Sequence, residues 1–215
     1  MKKMRLLWFI PVITLFLISC QKEVDLQDDN NPGGTGGTGT NNKDIIGDYE
    51  FAGMGGTTTT TVTVDDPLGQ LKTVSTDKYA TTNNKGQIKI TSNKLTYTGF
   101  AYSLSSSSHV KLYLGSILLG EQDIPYAYDI PEAAGENSFV KNNNDSLTFD
   151  KLLFVDSNPQ YAGTLDPKPM GARISWRGDT LVLKVKHSLS GKIDQQGTPA
   201  NYSSVFDGVM NLKKK

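Results

Sequence analysis

The sequence predicts an all-β domain, an antiparallel meander closed as a barrel or, alternatively, folded as a β-sandwich. Three observations carry this. From residue 44 to residue 215, apolar residues alternate with polar ones far more often than they recur at helical spacing. No segment sustains an amphipathic helical period, and Pro125, Pro131, Pro159, Pro167 and Pro169 punctuate the long connections. Gly53, Gly99, Gly115 and Gly208 fall inside strand-like runs, where glycine marks the bulges and sharp bends that strongly curved sheets need.

Taken in order, "DIIGDYEFAGM" opens the domain with a first strand near Gly47, and the threonine-rich "TTTTTVTV" reads as a second. "QIKITSNKLTYTGF" sets Ile88 and Ile90 on one face, turns at Ser92, Asn93 and Lys94, and returns with Leu95 and Tyr97, a hairpin signature. In "HVKLYLGSILL" Val110, Leu112 and Leu114 alternate with His109, Lys111 and Tyr113. "ARISWRGDTLVLKV" carries Ile174 and Trp176 into a tight turn at Arg177, Gly178 and Asp179, then Leu181, Leu183 and Val185. The last strand, "SSVFDGVMNL", lines up Phe206, Met210 and Leu212. Two stretches, "EQDIPYAYDIPEAAGENS" and "VDSNPQYAGTLDPKPMG", read as long polar loops, and loops of that length are usually functional or disordered.

The N-terminus has a separate logic. Lys2, Lys3 and Arg5 precede an apolar run, Leu6 to Ile18, too short to span a bilayer comfortably, which is the layout of a secretory signal peptide. Leu17, Ile18, Ser19 and Cys20 resemble the lipobox of bacterial lipoproteins, with Cys20 as the lipid attachment site and the only cysteine of the chain. The division expected is residues 1–19 signal peptide, 20–43 lipidated cysteine and linker, and 44–215 the β domain. A diacylated or triacylated terminus anchors durably, where one chain alone binds reversibly. Gln21, Lys22, Glu23 and Asp25 resemble the lysine-plus-acid export signal of Bacteroidetes lipoproteins, which implies an outer-membrane location at the cell surface, with the periplasmic face as the alternative. The Gly and Thr tether from Pro32 to Thr40 has no apolar residue and reads as a flexible coil; the whole segment to Lys43 reaches about 25 to 30 Å.

Composition excludes more than it assigns. The 22 basic and 22 acidic residues balance, and loss of the signal peptide leaves a slightly acidic chain with one basic cluster, Lys213 to Lys215, a poor match to nucleic acid. Lipidation of Cys20 leaves no thiol for a disulfide, a zinc site or a nucleophile. The two histidines, His109 and His187, are isolated, and no metal-spaced cluster, phosphate loop or nucleophile elbow is present, so neither a metal nor any cofactor beyond the lipid is expected, and no catalysis. Arg177-Gly178-Asp179 is turn chemistry rather than an adhesion motif. Asp145-Ser146-Leu147 and Asp179-Thr180-Leu181 resemble the Bacteroidetes O-glycosylation sequon, which makes Ser146 and Thr180 candidate glycan sites.

Gly47-Asp48-Tyr49 resembles the Gly-x-Trp start of lipocalins, with tyrosine in the place of tryptophan. With the lipobox and the run of hairpins, the chain looks like the lipocalin-like lipoproteins of Bacteroidetes. The resemblance implies a barrel of eight to ten strands binding a small hydrophobic or amphipathic ligand, with Tyr49 plugging the closed end. It leaves unassigned the arginine that packs over that plug from the last lipocalin strand, since only lysines follow Leu212 here. Tyr49, Tyr97, Tyr102 and Trp176 are the aromatic candidates for ligand contact. The competing expectation is a non-catalytic module that meets glycans or proteins through the two long loops.

Overall fold

The computed structural model describes residues 44–150, 169–195 and 197–215, and every regular element among them is a β-strand. The order is β1 (Gly47–Asp66), β2 (Gly69–Ile90), β3 (Lys94–Leu114), β4 (Ile117–Asn143), β5 (Ser146–Phe149), β6 (Met170–Arg177), β7 (Thr180–Gln195) and β8 (Thr198–Lys214). Each pairs antiparallel with its chain neighbours, and β1 also pairs with β8, so one meander sheet closes into a ring. The described strands thus form a single ring-like sheet and not two stacked ones. Signal peptide, Cys20 and tether lie outside the described residues.

The hairpin turn at residues 91–93, the turn at Gly178 and Asp179, and the inward row of Phe206, Met210 and Leu212 stand as the alternation predicts. Two expectations are corrected. "TTTTTVTV" is no separate strand but the upper half of β1, and "EQDIPYAYDIPEAAGENS" is no loop but most of β4. Proline in a strand is tolerated at bulges and edges because its missing N–H is not needed there. Pro131 falls in the register break between Phe100 and Tyr102 of β3, and Pro125 lies where β4 pairs with β3 alone among the described residues. Of the second expected loop, residues 155–168 lie outside the described residues.

Closure comes from a row of irregularities at one height. Beside Gly53 (φ 132°) the register of β1 shifts against β2 and β8, while β2 breaks between Thr82 and Lys85, and between Lys85 and Gln87. The two breaks are stitched together: the Met54 N–H donates to the Thr81 hydroxyl at 2.9 Å, that hydroxyl donates to the Met54 carbonyl at 3.1 Å, and Asn84 donates to the Ala52 carbonyl at 3.2 Å. The φ of Gly53 favours glycine, and a side chain there would also displace the Asn84 amide, 2.7 Å away, from this stitch. Bulges raise local twist, and several at one level coil a sheet far enough to close.

The bend divides the ring into two storeys. In the lower storey all eight strands take part, and its inner face is dense: Tyr49, Leu95, Phe149, Met170, Leu181, Leu183 and Leu212 are all at 0 % exposure. Because β5 has 4 residues and β6 has 8, the upper wall is carried among the described residues by β4, β3, β2, β1, β8 and β7. The outer face carries Thr57, Thr59, Thr61 and Thr63 on β1 and Lys184, Lys186 and Lys192 on β7, with Val140 and Val205 exposed among its polar residues. On β3 and β4 it carries the His109–Asp123 contact at 2.7 Å and the Lys94–Glu136 pair at 3.0 Å. In the lower storey the inner face is apolar, where the lumen of a lipid-spanning barrel is polar.

Candidate binding site in the ring interior

The lower end is a plug. Tyr49 enters on β1 with its hydroxyl donating to the Ile45 carbonyl at 2.6 Å, and its ring lies 6.4 Å from that of Trp176 on β6. In register beside Tyr49 stands Lys214 of β8, whose Nζ lies 5.9 Å from the Trp176 ring centroid. A cation from the last strand therefore packs at this end, against Trp176. Above the plug, Phe51 and Phe100 contact at 4.5 Å, with Tyr97 and Tyr102 each 5.7 Å from Phe100. All four aromatic candidates from the sequence thus sit in the plug or directly over it, as packing.

At the height of the bend the lining changes. Tyr79 and Phe206 stack at 6.3 Å over Gly56, which stands between them on β1. Above them the inner positions of β1, β2 and β3 carry hydroxyls and one carboxylate. Ser75 reaches Asp77 at 3.2 Å and Ser108 at 2.7 Å, and Thr60 meets Ser204 at 3.2 Å. Tyr126 of β4 hydrogen-bonds to Asp77 and Ser106, and its ring stacks on Tyr128 at 6.0 Å. On the β7 and β8 side the upper lining packs as a small cluster of Leu189, Ile193, Ala200 and Tyr202 with Val62 and Val64. Opposite, on β3 and β4, inner-row residues stay open: Leu112 is 36 % exposed, Ile124 41 % and Tyr128 50 %. The interior therefore passes from a sealed apolar base, through aromatic rings and hydroxyls, to a half-open upper wall.

His187, isolated in the sequence, is buried in mid-β7, in register with Phe206. The two sequon residues both flank turns of the lower end. Ser146 donates to Asn143 Oδ1 at 2.8 Å, and Thr180 to Asp179 Oδ1 at 3.3 Å, the local capping that Asx chemistry provides. Among the described residues no three His, Cys, Asp or Glu side chains stand grouped to hold a metal ion. Comparison with protein families, with curated proteins and with solved structures gives no match.

Three phenols are displaced from their ordinary range near 10. Burial, then the nearby Asp44 charge, pushes Tyr49 up to about 12. Burial, then Asp77, pushes Tyr126 up to about 12, and burial, then the neighbouring tyrosines and Asp77, raises Tyr79 further still. The folded state holds these protons more tightly than the unfolded chain, so their contribution is complete below pH of about 10 and is lost as pH rises toward about 12. Alkaline titration is expected to show a group of phenols ionising late, together with loss of the β-sheet circular dichroism. Ionisation of every tyrosine near the ordinary value with the sheet intact would contradict the buried placement.

Proposed function

We propose that this chain is an outer-membrane lipoprotein, anchored through Cys20 and facing the cell surface, whose lipocalin-like barrel binds a small hydrophobic or amphipathic molecule without catalysing its conversion. The observation that carries this reading is the change of the inner face along the axis. A domain stabilised by packing alone would fill its interior throughout, whereas here the lower storey is sealed and apolar inner residues of β3 and β4 stay open above it. An apolar concavity with a few placed polar groups is the usual form of a small-molecule site. The aromatic plug at Tyr49, with Trp176 and Lys214 against it, supports the lipocalin-like reading.

A second reading rests on the rim. Leu68, Ile117, Leu118 and Leu119 are all exposed at the upper turns, where the Gly115 N–H donates to the Gln70 carbonyl and ties the two hairpin tips together. Grouped apolar residues of this kind favour contact with another macromolecule, the interaction module of the alternative.

The test is mass spectrometry on an organic extract of the lipoprotein purified from its native membrane, against a strand-disrupted variant. A near-stoichiometric compound present in the first and lost in the second is the expected result. A clean extract from both would shift the reading to the rim.

A further inference from the structure

Building on the binding-protein reading, we propose that the upper interior selects a small organic cation, a protonated amine on an apolar body, with the ammonium on Asp77 and the body against Tyr79 and Phe206. Register places Asp77 on the inner row: it pairs with Thr58 of β1 and Ser108 of β3, and Thr58 in turn pairs with Phe206 of β8. It is half-buried, close enough to Tyr79 and Tyr126 to act on both phenols. It accepts hydrogen bonds from neutral groups, Ser75 at 3.2 Å and the Tyr126 hydroxyl.

Charge on this wall is one-sided. Following the same alternation, the lysines of β2 and β3, such as Lys72, Lys78 and Lys111, fall on the outer row, and no lysine or arginine among the described residues shares the inner row of the upper storey with Asp77. A carboxylate half removed from water, with hydroxyls but no cation beside it, has electrostatic capacity left over that a ligand cation would use. The walls suit the same ligand. Tyr79 lies stacked on Phe206 below, and Tyr126 and Tyr128 lie stacked beside it; aromatic faces attract an ammonium through their quadrupoles. An anionic amphiphile such as a fatty acid would instead bring its carboxylate against Asp77, which the site disfavours.

The experiment uses the full-length chain in lipid nanodiscs with three water-soluble probes of similar body and different head: phenethylamine, phenethyl alcohol and hydrocinnamate. Affinity is read by saturation-transfer NMR, with empty nanodiscs as the blank. The amine is expected to bind roughly tenfold more tightly than the alcohol, and the carboxylate more weakly than either. In Asp77→Asn the amine should fall to the level of the alcohol while the alcohol is unchanged, which also shows that the variant is folded. Wild-type protein that binds alcohol or carboxylate as well as amine would overturn the cation assignment and leave the carrier reading standing. So would an amine preference that survives Asp77→Asn. Failure of all three probes to bind would overturn both.

Discussion

Replacing Tyr49 with alanine is expected to cost about 3 to 5 kcal/mol and to lower the melting temperature by about 10 °C or more. Tyr49 is fully buried at the closed end, where three separate contacts converge on it. Its ring faces Trp176, its hydroxyl holds the Ile45 carbonyl, and the strand position beside it is that of Lys214, which leans over Trp176. The ring reaches from the first strand to the sixth, with the eighth in register beside it, so its loss removes packing where these strands meet. Tyr49→Phe separates the contributions: it keeps the ring and loses one hydrogen bond, an expected cost of about 1 kcal/mol. Equal melting temperatures for the alanine and phenylalanine variants would mean that the ring does not seal the end, and the plug argument would fail.

The strands were legible where one face is buried and the other wet, because alternation is the direct imprint of that geometry. β7 and β8 are of this kind: Leu181, Leu183 and Val185 lie across from Leu212, Met210 and Gly208, and both runs show in the sequence. β4 escaped because its upper part has no such contrast. From Ile117 to Ala134 only two positions are even half-buried, and Pro125 and Pro131 interrupt the run, so the short alternation of Ile124, Tyr126, Tyr128 and Ile130 is masked by the prolines around it. What makes it one is pairing with β3 along nearly its whole length, a non-local fact. The first strand was divided for a related reason. The Gly and Thr stretch after Phe51 reads as a break, yet the chain passes through a bulge and continues, held by Thr81 from the next strand.

The site was less legible than the fold. Aromatic residues beside strong strand motifs drew attention to Tyr49, Tyr97, Tyr102 and Trp176, which the ring uses as its base. The open lining is made by Asp77, Tyr79, Tyr126 and Tyr128, and two of these lie in the stretch that read as a loop. A signal did exist in "LKTVSTDKY": Leu71, Thr73, Ser75, Asp77 and Tyr79 share one parity, so an acid was already on the same face as an apolar and an aromatic residue. Nothing local says which face of that strand turns inward. The answer comes from Gly56, across the ladder from Tyr79, whose missing side chain lets that ring meet Phe206.

That glycine supports the second large expected effect. A Cβ at Gly56 would lie 2.5 Å from the Asp207 carbonyl oxygen and 2.7 Å from the Gly208 Cα, both backbone, with the Phe206 ring at 3.1 Å. A Cβ at Gly208 would meet the Phe206 ring first, and the Gly55 carbonyl oxygen at 2.8 Å. Each alanine variant overpacks the strand interface by one methyl, with an expected cost of about 1 to 3 kcal/mol, and Gly56→Ala should reach the upper end because no rotamer relieves a backbone contact. Combining each with Phe206→Leu in a double-mutant cycle distinguishes the two causes. The shorter side chain should recover a substantial part of the cost of Gly208→Ala and little of that of Gly56→Ala. Equal recovery at both would show that the ring, and not the close approach of β1 to β8, limits both positions. Little recovery at either would show that main-chain spacing alone does. The first result fixes Phe206 as a platform held in place by the glycines around it, which is how the join between β1 and β8 determines the shape of the floor beneath Asp77.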